Sequence, residues 1–136
     1  MLVECIGNRV SDLPKTDRTL VRQSVHLKEV GLVPGQRYVV YGVVLANGLP
    51  WYLIAEEEND EYPKPQFAGF FKVIDETIPS GWRFQWREGY WPDGKLLPSE
   101  WCQPGFFEAL VDGGSREVAI FKAKKAEIDA VSQLLH

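Results

Sequence analysis

Hydrophobic positions along the chain fall mostly into short blocks of period two. Each block is closed by glycine, proline or asparagine, which is the pattern of a protein built from short strands. Leu2 to Ile6 is the first block, ended by Gly7-Asn8. Residues 11–17 read as a loop. Residues 19–27 place Leu20, Val21, Val25 and Leu27 among polar neighbours, so a strand is expected there. Val33-Pro34-Gly35-Gln36 is a type II turn signal, because proline presets φ and glycine accepts a positive one. Residues 37–46 form the clearest strand, β-branched and aromatic almost throughout. Asn47-Gly48, the pair favoured in a two-residue type I′ hairpin, should turn the chain into a return strand from Trp51 to Ala55. Pro50 has no N–H to donate and belongs at the start of that strand or on an edge.

Glu56 to Glu61 and then Tyr62-Pro63-Lys64-Pro65 read as an exposed loop. Residues 67–76 are mostly apolar and expected to be buried. Trp82, Phe84 and Trp86 alternate with Arg83, Gln85 and Arg87, which predicts an aromatic face in the core and a basic or polar face outside. Pro92 to Lys95 is a tight turn. Tyr90, Trp91 and Trp101 lie in turn-rich sequence and are expected in the core or as a lid over one end of it; lining a ligand groove is the alternative. Gly105 to Asp112 echoes Gly69 to Asp75, and the two read as similar strand-entry segments. Glu117 to Phe121 is a last strand candidate. Ile128, Val131, Leu134 and Leu135 recur at helical spacing within 122–135, predicting a C-terminal amphipathic helix. The fold class expected is mainly β (α+β): a small, strongly bent sheet or barrel carrying that helix, in one domain spanning 1–136.

Composition narrows the class without changing the fold. With 136 residues, 45% hydrophobic and 25% charged, the chain excludes intrinsic disorder, collagen and coiled coil. The formal net charge is −4, and Glu56, Glu57, Glu58, Asp60 and Glu61 alone carry more than that. No basic stripe is visible, which argues against nucleic acid as the partner. No apolar run approaches the ~20 residues of a membrane helix. No charged-then-apolar leader precedes Leu2, so a cytoplasmic protein with reduced Cys5 and Cys102 is expected.

Chemistry is sparse. No C-x-x-C, H-x-x-x-H or H-E-x-x-H spacing occurs, and no glycine-rich phosphate loop, so no metal or cofactor is expected. The acidic run lacks the spacing that wraps calcium. His26 and His136 are the two histidines. Cys102 with His26 is the one conceivable nucleophilic dyad, but both cysteines are expected to pack as small hydrophobes and His26 to lie on a strand's polar face. No enzymatic activity is expected.

Gly31 to Gly42 has the form L-x-x-G-x-x-Y-x-V. It is followed by Gly48, Trp51-Tyr52-Leu53-Ile54, an acidic loop, Tyr62-Pro63 and Phe70-Phe71. That order resembles an SH3-like barrel over residues 30–78: diverging turn, long strand, hairpin, aromatic strand, proline-bearing loop and closing segment. Residues 79–136 extend it beyond the pattern of a signalling SH3 domain. The chain is also similar to small SH3-like bacterial proteins, some of which are immunity partners of polymorphic toxins. The resemblance implies a non-enzymatic protein-binding module, of the immunity or inhibitor kind, that occludes a basic toxin or nuclease. Glu56, Glu57, Glu58, Asp60 and Glu61 would be its electrostatic contacts and Trp51 or Tyr52 its anchors. The alternatives are a nucleic-acid-binding module using Arg83, Arg87 and exposed tryptophans, or a small-ligand binder.

Overall fold

A computed structural model describes residues 1–22 and 30–136. Among these residues the fold is mixed α+β, with two antiparallel sheets and three α-helices. One sheet has the order β2-β1-β6, from β1 (Leu2–Cys5), β2 (Arg37–Val39) and β6 (Phe71–Asp75). The other has the order β5-β4-β3-β8-β7, from β3 (Gly42–Ala46), β4 (Leu49–Ile54), β5 (Lys64–Phe67), β7 (Trp82–Gln85) and β8 (Lys95–Pro98). Among the described residues neither sheet closes on itself.

The long strand over 37–46 is real but bent, and the bend is what divides the sheets. Val40 N–H still donates to Met1 O on the β1 side at 3.1 Å, while Tyr41 N–H donates to Leu53 O on the β4 side at 2.8 Å. The hairpin between β3 and β4 turns at Asn47 (φ 54°) and Gly48 (φ 74°), the two positive values a type I′ turn requires. Gly35 (φ 86°), with Gln36 N–H donating to Val33 O, makes the turn expected at 33–36. Pro50 opposes Leu45 just before β5 begins pairing at Trp51, so no neighbour is denied a donor.

Several assignments change. The segment read as loop and strand carries a 3₁₀ turn at Val10–Asp12 and α1 (Lys15–Val21); residues 23–27, including His26, lie outside the described residues. Gly105 takes φ 74° and starts α2 (Phe106–Val111), whereas Gly69 to Asp75 is a 3₁₀ turn leading into β6. The echo in sequence therefore has no structural counterpart. Glu117 to Phe121 is not a strand; it lies inside α3 (Ser115–Leu135). Phe121 and Ile128, seven residues apart, both bury on one side of that helix, whereas Val131, Leu134 and Leu135, expected on the same apolar stripe, are exposed.

One buried cluster joins both sheets to the C-terminal extension. On the five-stranded sheet its face carries Val44, Trp51, Leu53, Phe67 and Leu97. The extension contributes Trp101, Phe106, Phe107, Leu110 and Phe121, with Trp101 and Phe121 ring centroids 5.2 Å apart. A polar clasp adds to this. Tyr41 O–H, at the bend of the long strand, donates to Asp129 of α3, which also pairs with Lys125 at 2.7 Å. Burial first, and then the Asp129 carboxylate, push the Tyr41 phenol well above its ordinary pKa.

Candidate functional site

The acidic run forms the connection between β4 and β5, and its five carboxylates have different jobs. Asp60 turns back on its own loop: Oδ2 accepts from the backbone N–H of Glu56 at 3.0 Å and of Glu57 at 3.1 Å. Asp60 N–H in turn donates to Glu57 O at 3.2 Å. This is the arrangement by which a short acidic side chain substitutes for a missing strand partner. Glu56 folds inward as well, accepting from Gln66 Nε2 on β5. Its other oxygen lies 2.9 Å from where a Cβ on Gly31 would stand, so a side chain at 31 would push the end of Glu56 aside.

Glu57, Glu58 and Glu61 remain exposed. Among the described residues none of them has an ion-pair or hydrogen-bonding partner for its carboxylate. The loop is thus fastened at both ends by two of its acids and displays three.

Trp51 and Tyr52 are neighbours on β4, so they point to opposite faces of the sheet. Trp51 is only 7% exposed; its indole N–H donates to Ala46 O at 3.0 Å and its ring meets Phe67 edge-on. It is a core residue and offers no anchor. Tyr52 is half-buried on the outer face against Phe71, and burial raises its phenol pKa. Its cross-strand neighbour is Gln66, the residue that holds Glu56, so Tyr52 stands at the root of the acidic loop.

The aromatic stripe along β7 and just past its end at Trp86 is the largest departure from expectation. Phe84 is 63% and Trp86 54% exposed, and only Trp82 packs against the core. The period of two is present, but the aromatic face looks outward, because the core face of this sheet is already filled by the extension. Arg83 sits on the other side of the strand, while Arg87 folds over the Trp86 ring, 4.1 Å from its centroid. The two arginines therefore do not share a surface. Trp101 is core, and Tyr90 and Trp91 pack on Phe107 as the lid expected.

That lid is latched from below by Lys95, which is 7% exposed and donates to the carbonyls of Glu88 and Tyr90. Beside it lies a cavity of about 130 Å³ bordered by Trp101, Cys102, Phe107 and Glu108. Cys102 Sγ contacts Pro98 O at 3.5 Å, and burial pushes its thiol up despite the nearby Arg83 and Lys95 charges. Cys5 is buried, donates to Gly7 O and is likewise raised by burial. Both thiols are free, and neither has the lowered pKa of an activated nucleophile. Among the described residues no group of three His, Cys, Asp or Glu is placed to hold a metal ion, and no helix is long and apolar enough to cross a membrane.

No family model matches this chain, and comparison with curated proteins and with solved structures returns no match. The functional reading therefore rests on the site's own geometry.

Proposed function

We propose that this chain is a non-enzymatic protein-binding module that engages a basic protein surface through its β4–β5 loop, as an immunity or inhibitor protein does. The observation that carries the reading is a set of three exposed carboxylates, Glu57, Glu58 and Glu61, held on a fastened loop and without an ion-pair partner among the described residues. A loop already fixed loses little entropy on docking. Its uncompensated charge speeds association with a cationic partner by about 10–10³-fold, and more so at low salt. Tyr52, amphipathic and next to the loop's root, is the apolar contact in this reading, and inhibition is by steric occlusion.

The SH3-like likeness belongs with this proposal. What supports it is the long strand shared between the sheets, the hairpin after it, the proline-bearing loop, and the closing segment β6 pairing with β1. On that reading the β7–β8 hairpin, α2 and α3 are additions to the core, and the core includes Leu2 to Cys5. The nucleic-acid alternative has Arg87 over Trp86 in its favour, but Arg83 faces away.

The test is selection from a phage-displayed library of basic nuclease and toxin domains. Binding of the selected domain to the wild-type chain is then compared with binding to the triple variant E57Q/E58Q/E61Q. The expected result is an association rate at least tenfold lower for the variant, with a flatter dependence on salt. A selection that yields no binder, or a binder that associates equally fast with the variant, overturns the proposal.

A further inference from the structure

Beneath the lid formed by Tyr90 and Trp91 lies a buried cation. Lys95 stands on β8 between Val44 of β3 and Gln85 of β7, and is 7% exposed. Its ammonium carries three N–H donors and no acceptor. The carbonyls of Glu88 and Tyr90 accept from it, and among the described residues no carboxylate pairs with it. Two neutral carbonyls leave one donor open and the charge uncompensated. Burying a charge in that way is costly unless a counter-charge reaches it.

The cavity of about 130 Å³ beside Lys95 has exposed Gly89 and Glu108 at its rim and buried Trp101, Phe106 and Phe107 in its wall. Glu108 likewise has no ion-pair partner among the described residues. A Cβ built on Gly89 would stand 3.8 Å from Lys95 Nζ and 4.0 Å from Glu108 Oε1. Two opposite charges thus flank one spot at the rim without pairing with each other. Trp101 is 1% exposed, and its indole N–H has no acceptor among the described residues. Natural interiors rarely leave such a donor open.

We infer that this cavity binds a small zwitterion of the α-amino acid type, its carboxylate on Lys95 and its ammonium on Glu108. Hydrogen bonds between opposite charges run at about 2.8 Å. An α-amino acid carries both charged groups on one carbon, so from between the two residues it reaches each of them. A ligand with a single charge is matched less well. A bare anion meets Lys95 and is opposed by Glu108; a bare cation meets Glu108 and is opposed by Lys95. The site therefore selects by repulsion as well as by attraction.

Volume limits the ligand's size. An apolar cavity of about 150 Å³ takes benzene, so one of about 130 Å³ takes a molecule of that size or slightly smaller. Alanine has as many non-hydrogen atoms as benzene, and its methyl group suits the aromatic wall. The site lies at the β7–β8 end of the five-stranded sheet, whereas the acidic loop joins the strands at the other end. It therefore stands independently of the protein-binding reading.

Titrating the isotopically labelled full chain with L-alanine, propionate and ethylamine at constant pH and ionic strength tests this, because the last two each lack one of alanine's charges. Alanine should shift the Trp101 indole N–H resonance and the amides of Gly89 and Glu108 saturably at millimolar concentration. Propionate and ethylamine should each need at least tenfold more. Glu108→Gln changes an exposed side chain and should keep the wild-type circular dichroism. It removes the ammonium's partner, so alanine should bind about tenfold more weakly and lose its advantage over propionate. The absence of a saturable shift by ~100 mM alanine overturns the assignment. So does propionate or ethylamine binding the wild type as well as alanine does, which would make this an ordinary single-charge site. Glu108→Gln retaining the full preference for alanine overturns it as well.

Discussion

Asp60 separates an acid that shapes the loop from acids that face a partner. Replacing it with alanine removes the oxygen that accepts from the amides of Glu56 and Glu57 at 3.0 and 3.1 Å. The arrangement is equivalent to a helix N-cap, in which one side-chain oxygen satisfies orphan backbone donors, and loss of such a cap costs about 0.5–2 kcal/mol. The half-exposed setting puts Asp60→Ala near the middle, at about 1 kcal/mol, which is a factor of roughly five in a local opening equilibrium. Native-state hydrogen exchange at those two amides reads this directly. Exchange should quicken about fivefold in Asp60→Ala and less in Asp60→Asn, which keeps an oxygen acceptor. Glu58→Gln, at an exposed side chain with no hydrogen-bond or ion-pair partner among the described residues, should leave both amides at the wild-type rate. If Asp60→Ala also leaves them unchanged, the loop is not fastened as described, and the distinction between the two kinds of acid collapses.

Other consequences concern the frame around the loop. Lys95→Met strands the carbonyls of Glu88 and Tyr90, at ~1–3 kcal/mol; thermal unfolding should fall by several degrees, and an unchanged midpoint would show that water replaces the ammonium. Phe121→Ala empties a fully buried site beside Trp101 and should cost roughly 3–5 kcal/mol in chemical denaturation, with β-sheet and helix signals lost together because extension and sheets share one core; a separate transition for the helix signal would contradict that. The Tyr41 phenol has a raised folded pKa, so its contribution is complete below the unfolded value of about 10 and is lost as pH rises past it. Stability of the wild type should therefore decline above that pH more steeply than stability of Tyr41→Phe, and parallel curves would refute the clasp to Asp129. Both thiols should react with a disulfide reagent at mildly alkaline pH far more slowly in the native than in the unfolded chain, and a fast native phase would expose an activated cysteine.

Features set by local sequence were legible before any coordinates. The Asn47-Gly48 hairpin, the turn at Gly35 and the helical conformation of the C-terminal segment each depend on a few neighbouring residues whose backbone preferences agree. What could not be read is what depends on distant contacts. Alternation at 82–86 gives a two-faced strand, but which face is covered is decided by Trp101, Phe107 and Phe121 arriving from the extension. Val118 and Ile120 look like strand residues over five positions and become helix because the apolar spacing continues to Ile128. Within the acidic run, the inward turn of Glu56 depends on Gln66, ten residues on, and on Gly31 from before the long strand. Adjacent residues of a strand point to opposite faces, so of Trp51 and Tyr52 no more than one can face a partner across the same sheet surface.

The proposal that the β4–β5 loop receives a basic protein is tested most directly by titrating the isotopically labelled chain with the selected domain and following amide shifts. Changes centred on Glu57, Glu58 and Glu61, reaching Tyr52 and sparing Phe84 and Trp86, are the result the account predicts. A footprint on β7 or on the lid around Tyr90, with the loop amides unmoved, would contradict it.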